Sequence, residues 1–506
     1  MTIHVLSYLE RSAERFPEKT AVTDEFGSVT YDALLRDSRR MGTALARRIR
    51  PGQAVGVYME KSAQTLEVFF GAVYAGGFYS SLNPELPAQR LGQIVSVLAP
   101  GVIVTSSELE AAAREIFPGY PIVTAGALAE ESEDSALLSE IRRGAVDTDP
   151  LYVNFTSGST GTPKGIVVAH RSVLDFIGCF TEIFGITSGD VIANQAPFDF
   201  DVSVKDIYSA MAVGARLVLV PRRLFSAPAA LTDFLCGNDV TTMIWAVSAL
   251  CLLTTFHALD YRTPEKVNKI LFSGEVMPFK ALKELRKHLP GAMLVNLYGP
   301  TEITCNCTYH ILEEQRDYSG GIPIGRPFPN EDVFLLDGEN RKVTAPDIPG
   351  EICVRGTALA LGYYGNPEQN AAHFVQNPLN PHYPERIYRT GDLGRYNDLG
   401  ELVFAGRKDF QIKYMGHRIE LEEIEREMAR VSGVERCCCV FDEKRSRLMG
   451  FYVGAIGKDT LHAAMKGSLP DYMIPGILRQ VEEMPLTKNG KIDRKALAAL
   501  TGGRNR

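Results

Sequence analysis

Short apolar runs alternate with amphipathic segments along the first three hundred residues of the chain. Residues 55–59, 151–155 and 269–272 have the length and the apolar composition of buried strands. Residues 66–74 place apolar side chains at helical spacing, and this pattern ends at a pair of glycines. Because strands that alternate with helices usually pair in parallel, the pattern predicts a layered α/β domain.

The pattern changes twice in the later part of the chain. From about residue 328 it consists of short β segments and turns, which predicts a small barrel or sheet attached to the main body. Residues 419–431 then carry an apolar stripe at helical spacing, followed by strand-like segments. We therefore predict an N-terminal core of residues 1–408 and a small α+β domain of residues 409–506. The acidic, weakly patterned residues 130–149 are predicted to form a surface connection.

Composition and charge narrow the possible function classes. The chain has 506 residues, and its net charge of −7 argues against a nucleic-acid partner bound by bulk electrostatics. The N-terminus lacks the features of a signal peptide, and no run reaches the ~18 apolar residues of a membrane helix. Nine cysteines without secretory features indicate reduced thiols and a cytoplasmic protein. We interpret Cys437-Cys438-Cys439 as part of a strand, with a metal site as the alternative.

A loop of glycines, hydroxyl residues and one lysine follows the strand predicted at residues 151–155. Its sequence is Thr156-Ser-Gly-Ser-Thr-Gly-Thr-Pro-Lys-Gly165. Glycines allow several backbone N–H groups to face one anion, while the hydroxyls and Lys164 add donors and a positive charge. This chemistry predicts a phosphate-binding loop, although an ordinary flexible loop favours the same residues. The string differs from the Walker pattern, because Lys164 follows Pro163 and no Ser or Thr follows the lysine.

Further strings occur in a characteristic order after this loop. They are Tyr298-Gly-Pro-Thr-Glu302, Gly350-Glu-Ile-Cys-Val-Arg-Gly356, Gly362-Tyr-Tyr364, Tyr388-Arg-Thr-Gly-Asp-Leu393, Gly406-Arg-Lys-Asp409, Leu469-Pro-Asp-Tyr-Met-Ile-Pro475 and Asn489-Gly-Lys-Ile-Asp-Arg494. The series resembles the adenylate-forming enzymes, which include peptide-synthetase adenylation domains, D-alanine:carrier-protein ligases, acyl-CoA synthetases and luciferases. The resemblance covers nearly the whole chain. It implies a large N-terminal layered α/β domain with a small β subdomain, and a small mobile α+β C-terminal domain.

The resemblance also implies roles in handling ATP and magnesium. The loop would hold the β- and γ-phosphates, Tyr298 would stack on adenine, and Asp392 would accept both ribose hydroxyls. Thr301 would contact the α-phosphate, and Glu302 would help to hold Mg²⁺. Lys491 would place an ammonium between the substrate carboxylate and the α-phosphate. The residues implied to bind ATP are Thr156, Ser157, Gly158, Ser159, Thr160, Gly161, Lys164, Gly274, Glu275, Asn296, Tyr298, Gly299, Asp392 and Arg407.

Asp201 bears on the kind of acid that is activated. An amino acid carries an ammonium on its α-carbon, and burying that charge demands a carboxylate partner. Asp201 stands where amino-acid-activating relatives keep such an aspartate. Asp199 is a second candidate two residues earlier, and a cap on the helix that begins near Ser203 is the structural alternative.

The rest of the substrate pocket is likewise implied by the resemblance. It comprises Val202, Lys205, Trp245 (or Ile244), Leu271, Ser273, Leu297, Cys305 and Asn306. Trp245 is the only tryptophan, and it would shorten the cavity and favour a small amino acid. Lys205 has two possible orientations: facing inward it could pair with an acidic side chain, and on an outer helix face it would be solvated. D-alanine:carrier-protein ligases usually have Cys at the position of Ser273, which leaves the stereochemistry open.

The implied function is ATP-dependent activation of an amino acid as an aminoacyl-adenylate, followed by transfer to the phosphopantetheine thiol of a carrier protein. No Gly-Gly-His/Asp-Ser string precedes Arg506, so a separate carrier protein is expected. The domain after Asp409 would turn between two poses, with Asp409 as the hinge. The alternatives are a CoA ligase for a small carboxylic acid, a D-alanine:carrier-protein ligase, and a binding protein without activity.

Overall fold

The computed structural model describes residues 3–158, 162–442, 445–486 and 492–500. The chain is a mixed α/β structure with a large N-terminal domain and a smaller C-terminal one, as the resemblance implied. It divides into two compact units. As far as described, the first unit comprises residues 3–83, 98–154 and 165–408, and the second comprises residues 84–97, 155–164 and 409–500. The last boundary therefore falls between Lys408 and Asp409.

Helices occur in both units, and the bounds of those in the described residues follow. They are α1 (Leu6–Arg15), α2 (Tyr31–Ala46), α3 (Ala63–Tyr74), α4 (Ala88–Leu98), α5 (Glu110–Ile116), α6 (Ala125–Ala129), α7 (Ser135–Gly144), α8 (His170–Ile183), α9 (Val202–Val213), α10 (Pro228–Gly237), α11 (Val247–Thr255), α12 (Ala258–Tyr261), α13 (Phe279–His288), α14 (Pro367–His373), α15 (Leu421–Arg430), α16 (Lys458–Lys466) and α17 (Arg494–Ala499). Among the described helices, none has both the length and the apolar character needed to cross a bilayer.

The strands of the described residues, in chain order, are β1 (Thr20–Thr23), β2 (Ser28–Thr30), β3 (Ala54–Tyr58), β4 (Phe78–Ser81), β5 (Val102–Thr105), β6 (Ile122–Thr124), β7 (Pro150–Thr156), β8 (Lys164–Ala169), β9 (Val191–Asn194), β10 (Arg216–Leu219), β11 (Thr242–Ala246), β12 (Lys269–Ser273), β13 (Met293–Tyr298), β14 (Thr308–Ile311), β15 (Arg326–Pro327), β16 (Glu331–Leu336), β17 (Lys342–Val343), β18 (Gly350–Gly356), β19 (Gly362–Tyr363), β20 (Phe374–Gln376), β21 (Arg386–Tyr396), β22 (Leu402–Arg407), β23 (Gln411–Tyr414), β24 (His417–Glu420), β25 (Val434–Asp442), β26 (Arg447–Gly454) and β27 (Ile477–Gln480). Single 3₁₀ turns lie at Arg222–Ser226, Thr301–Ile303 and Asp471–Met473.

Two large sheets form the layered body predicted from the alternation of strands and helices. One has the strand order β19-β8-β7-β4-β3-β5-β6, and the other has the order β15-β14-β13-β12-β11-β9-β10-β1-β2. Pairing is parallel from β9 to β13 and among β3, β4, β5 and β6. Parallel strands expose their carboxyl ends at one edge, which is where α/β proteins usually bind ligands.

A separate antiparallel sheet confirms the small β region predicted beyond residue 328. Its order is β17-β16-β18-β21-β20, and β22 pairs with β21. The pairing of β21 with β22 sets Asp392 opposite Arg407, so two distant strings of the sequence meet there.

The second unit contains the predicted C-terminal helix and the cysteine strand. Leu421, Ile424 and Met428 of α15 are buried, as the apolar stripe indicated. Cys437-Cys438-Cys439 lies in β25, and all three thiols are free. The strand interpretation of these cysteines is therefore confirmed.

The connection predicted at residues 130–149 is more ordered than the sequence indicated. It contains α7, whose first turn is capped by Asp134, because the Asp134 carboxylate accepts the N–H of Leu137 at 3.0 Å. Leu138 is buried and Ile141 lies against Gly76, so a short apolar face and a cap fix this helix within the acidic segment.

Candidate active site

The predicted substrate residues meet at the carboxyl ends of β12 and β13 and at the start of α9. Ser273 is the last residue of β12 and pairs with Leu297 near the end of β13. Leu271 lies two positions earlier on β12 and is fully buried. Val202 is the first residue of α9 and is half-buried. The fold thus brings together residues that are separated by up to a hundred positions in the sequence.

Asp201 precedes the first residue of α9, but its side chain forms no capping hydrogen bond. The helix-cap alternative is therefore wrong for this residue. Its backbone carbonyl accepts the thiol of Cys305 at 3.1 Å. Burial raises the pKa of the Cys305 thiol, and the negative charge of Asp201 adds to that shift, so the carboxylate is close to this buried group.

Asp199 has a different environment from Asp201. The side-chain amide of Asn83 donates to both of its carboxylate oxygens, at 3.3 and 3.4 Å. Burial raises the pKa of Asp199 to about 6, and the Asn83 bond opposes the shift. Asp199 thus binds Asn83, whereas Asp201 lies beside the predicted substrate residues Cys305 and Lys205.

Lys205 faces the interior, which settles the orientation that the sequence left open. Its residue surface is only 1% exposed. Its ammonium donates to Asn306 Oδ1 at 2.8 Å and to Ser273 Oγ at 3.4 Å, and both are predicted pocket residues. Burial lowers the pKa of Lys205, while the neighbouring acidic groups of Cys305, Asp201 and Asp206 oppose the lowering.

Trp245 does not line this pocket, contrary to the prediction. Strand residues alternate between faces, and Ile244 and Leu271 belong to one hydrophobic cluster while Trp245 belongs to another. The indole N–H donates to the carbonyl of Ala193 at 2.8 Å, and the ring packs edge-on against Phe225. Ile244 therefore lies on the face of Leu271 at this position, and Trp245 does not restrict the substrate to a small side chain.

The backbone at residues 304–306 positions the far wall of the pocket. Thr304 and Cys305 have φ angles of 49° and 75°, in the left-handed region that non-glycine residues rarely adopt. A Cβ on Gly299 would lie 2.5 Å from Cα of Asn306, so only glycine allows this approach. Asn306 can bind Lys205 because of this close packing, a relationship that the sequence did not indicate.

Tyr298, Asp392 and Arg407 form a hydrogen-bonded cluster. The Tyr298 hydroxyl donates to Asp392 Oδ2 at 2.6 Å, and the Arg407 guanidinium binds Oδ1 of the same carboxylate. Asp392 is 3% exposed. A carboxylate has about four lone-pair sites, so each oxygen retains acceptor capacity for a further donor such as a ribose hydroxyl.

Glu302 lies in the 3₁₀ turn Thr301–Ile303 directly after Gly299 and Pro300. It is 1% exposed, and its Oε1 accepts the hydroxyl of Tyr363 at 2.8 Å. Tyr363 belongs to the string Gly362-Tyr-Tyr364, but the sequence alone did not indicate its contact with Glu302. Thr301 adjoins Glu302 in the same turn, so the two predicted catalytic residues lie together.

The chemistry of Glu302 fits Mg²⁺, which takes hard oxygen ligands and usually keeps waters and substrate phosphates alongside one or two carboxylates. Among the described residues, no group of three or more His, Cys, Asp or Glu side chains could hold a metal ion by itself. Glu302 therefore fits a site at which Mg²⁺ is held by this carboxylate together with the phosphates of ATP and water.

The predicted phosphate loop begins with Thr156, Ser157 and Gly158, which lie within the described residues. Ser157 Oγ donates to the carbonyl of Arg418 at 2.8 Å, and the N–H of Gly158 donates to Glu423 Oε2 at 3.2 Å. Burial raises the pKa of Glu423, and the guanidinium of Arg90, 2.5 Å from its other oxygen, opposes that shift. The N–H of Gly158 thus has a carboxyl acceptor within the chain, and phosphate binding by this loop stays a prediction.

The other predicted ATP residues have these locations. Lys164 is buried at the start of β8. Gly274 and Glu275 directly follow β12, and Gly274 has a φ of 98°. The Asn296 amide donates to the carbonyl of Pro323 at 2.9 Å. Ser159, Thr160, Gly161 and Lys491 lie outside the described residues.

Two protein-family models match the chain. The model described as "AMP-binding enzyme" matches residues 9–364, and the model described as "AMP-binding enzyme C-terminal domain" matches residues 423–491. Zwittermicin A synthase ZmaJ of Bacillus cereus is 33% identical over 99% of this chain and 95% of that protein. A dimodular nonribosomal peptide synthase of Bacillus subtilis (strain 168) is 34% identical over 97% of this chain, which spans only 20% of that protein.

Solved structures give the same fold. Holo-PA1221, an NRPS protein containing adenylation and PCP domains, is 26% identical with a TM-score of 0.85, over 98% of this chain and 84% of that one. The o-succinylbenzoate CoA synthetase MenE of Bacillus subtilis is 20% identical with a TM-score of 0.82, over 97% and 98% of the two chains, and shows likeness of fold alone. The chain therefore belongs to the AMP-binding enzymes, the adenylate-forming superfamily, and resembles the adenylation domains of nonribosomal peptide synthetases.

Proposed function

We propose that this adenylate-forming enzyme activates an amino acid with ATP and transfers it to the phosphopantetheine thiol of a separate carrier protein. The observation that carries the proposal is the position of Asp201. Its carboxylate lies near the buried Cys305 and Lys205, and its side chain does not cap the helix that it precedes. A carboxylate in such an environment is the partner that the α-ammonium of an amino acid requires.

The first half-reaction joins two anions, the substrate carboxylate and the α-phosphate of ATP. In the proposed roles, Asp392 accepts the ribose hydroxyls, while Tyr298, held by its bond to Asp392, offers its ring to the adenine. Mg²⁺ bound through Glu302 would supply positive charge to the phosphates. Positioning and charge neutralisation of this kind provide most of the acceleration in such displacements.

The second half-reaction is attack of a carrier thiol on the adenylate. Holo-PA1221, whose printed description includes a PCP domain, supports a carrier as the acceptor. The boundary between Lys408 and Asp409 supports a hinge at that position, because a few backbone torsions at such a junction can absorb a large rotation.

The test is ATP–pyrophosphate exchange with a panel of L- and D-amino acids, and acyl-CoA formation from simple carboxylic acids with CoA. In Asp201→Asn, we expect amino-acid-dependent exchange to fall by at least two orders of magnitude, because losing a buried charge partner costs roughly 3–5 kcal/mol. Asp199→Asn is the matched control, two residues away in the same loop. Because the proposed substrate ammonium does not pair with Asp199, this variant should retain activity within about tenfold. Normal exchange in Asp201→Asn, or activity only with CoA and plain acids, would contradict the proposal.

A further inference from the structure

Lys205 is a buried cation whose hydrogen-bond partners are neutral. It is 1% exposed, and its ammonium contacts the amide oxygen of Asn306 at 2.8 Å and the hydroxyl of Ser273 at 3.4 Å. Among the described residues, no carboxylate forms an ion pair with it within 4 Å. Asp201 and Asp206 act on this ammonium electrostatically without pairing with it. A ligand carboxylate in direct contact with Lys205 would therefore offset the cost of burying the charge.

Other charged residues of the first unit show how a partly buried lysine is usually neutralised within the chain. Lys269, which is more exposed than Lys205, is paired with Asp190 at 2.9 Å. Asp206, the residue after Lys205 on α9, instead accepts the side-chain amide of Asn194 at 2.7 Å. Burial raises the pKa of Asp206 to about 8, so this carboxyl carries little of the compensating charge at neutral pH.

Asp201 and Lys205 are four residues apart at the start of α9, and side chains at this spacing lie on one face of a helix. The pocket therefore presents a carboxylate and, one turn further along, an ammonium. On the proposed function, Asp201 binds the α-ammonium of the substrate, and the α-carboxylate must stay at the α-phosphate of ATP to react. The counter-charge for Lys205 must then come from a second carboxylate.

We propose that Lys205 binds a carboxylate on the side chain of the substrate, so that the enzyme activates an acidic amino acid of the aspartate or glutamate type. Ser273 and Asn306 support the same ligand, because a hydroxyl and an amide offer the N–H and O–H donors that a carboxylate accepts. This inference rests on the proposed function and assigns its substrate class.

The experiment compares aspartate with asparagine and glutamate with glutamine in ATP–pyrophosphate exchange by the intact chain. Each pair has nearly the same shape and differs in the side-chain charge. We expect kcat/KM for one of the acids to exceed that of its amide by at least about 100-fold, since one buried ion pair separates them. Exchange that favours the amides or other neutral amino acids would overturn the inference and leave the proposed function intact. Exchange with no amino acid would instead refute the proposed function.

A variant tests whether Lys205 is the cause. Lys205→Met should reduce exchange with the preferred acid by about 100-fold or more while changing exchange with its amide by less than about tenfold, so the preference collapses. Lys266→Met is the control, because the side chain of Lys266 is 63% exposed and paired with Asp239 at the surface. This variant should prefer the acid over its amide as strongly as the wild type does. Equal losses for acid and amide would show a structural role for Lys205 and overturn the inference.

Binding gives a second measurement, which does not depend on catalysis or on the variant. Aminoacyl-sulfamoyl adenosines are stable analogues of aminoacyl-adenylates, and calorimetry can compare the glutamyl, aspartyl and alanyl compounds on the wild-type chain. One acidic analogue should bind at least about tenfold more tightly than the alanyl analogue. Tighter binding of the alanyl compound than of both acidic ones would overturn the assignment.

Discussion

The two charged regions of the first unit differ in where each charge finds its partner. In the cluster of Tyr298, Asp392 and Arg407, both carboxylate oxygens bind donors that the chain supplies. Lys205 is fully buried, yet its acceptors are neutral. In the first region, the charge of Asp392 is neutralised by Arg407 within the folded chain. In the second, on our proposal, the charge of Lys205 is neutralised by a carboxylate of the substrate. Variants in the two regions should therefore affect stability and specificity to different degrees.

The largest effect is expected at Lys491, the proposed cation that would join the nucleotide to the substrate. Lys491→Ala should reduce pyrophosphate exchange by roughly three orders of magnitude, because charge stabilisation in the transition state is lost. Thioester formation from supplied aminoacyl-adenylate should remain within about tenfold of wild type. The converse variant, Asp409→Pro, fixes φ near −65° and should impair thioester formation more than exchange if it traps the adenylating pose. Equal loss of both half-reactions in Lys491→Ala would contradict the proposed division of labour.

Breaking the complete region should cost stability as well as nucleotide affinity. Asp392→Ala leaves the guanidinium of Arg407 without its carboxylate, and we expect the free energy of unfolding to fall by roughly 3–5 kcal/mol. Urea denaturation measures this change, and the KM for ATP should rise at least about tenfold. Asp392→Asn is the matched variant, since it keeps the size and one acceptor oxygen, and its loss of stability should be smaller. An unchanged free energy of unfolding in Asp392→Ala would contradict this prediction.

The smallest effect on specificity is expected from Trp245, which lies outside the substrate pocket. Trp245→Phe removes the indole donor to the carbonyl of Ala193 and should lower the free energy of unfolding by about 1–3 kcal/mol. The relative exchange rates of different amino acids should not change. Ile244→Ala should have the opposite profile, with bulkier amino acids gaining relative to smaller ones. A changed order of preference among amino acids in Trp245→Phe would show that Trp245 does line the substrate pocket.

The residues of the Tyr298, Asp392 and Arg407 cluster could be singled out from the sequence because they lie within short strings of characteristic order. Asp392 and Arg407 each belong to such a string, and the strand pairing then brings them together. The substrate pocket could be predicted only in part. Strand residues alternate between faces, so an uncertainty of one position between Ile244 and Trp245 moved the side chain to the opposite side of the sheet.

The orientation of Lys205 could not be predicted, because it depends on partners that are distant in the sequence. Ser273 and Asn306 approach α9 only once β12 and β13 are paired and residues 304–306 have turned back. The helix at residues 135–144 escaped prediction for a different reason. Its apolar residues Leu137, Leu138 and Ile141 span little more than one turn and stand among charged residues, so the helical period is short.

The close approach of Gly299 to Asn306 has a consequence for engineering. Gly299 adjoins Tyr298, which binds Asp392, while Asn306 binds Lys205, so one backbone contact links the proposed nucleotide site with the proposed substrate pocket. A designer who enlarges or repolarises the pocket at residues 305 or 306 changes a segment already in the left-handed region. If the proposed sites are correct, we expect substitutions there to weaken ATP binding as well. Ile244 and Leu271 lie on regular strands, so substitutions at those positions should leave the proposed nucleotide site undisturbed.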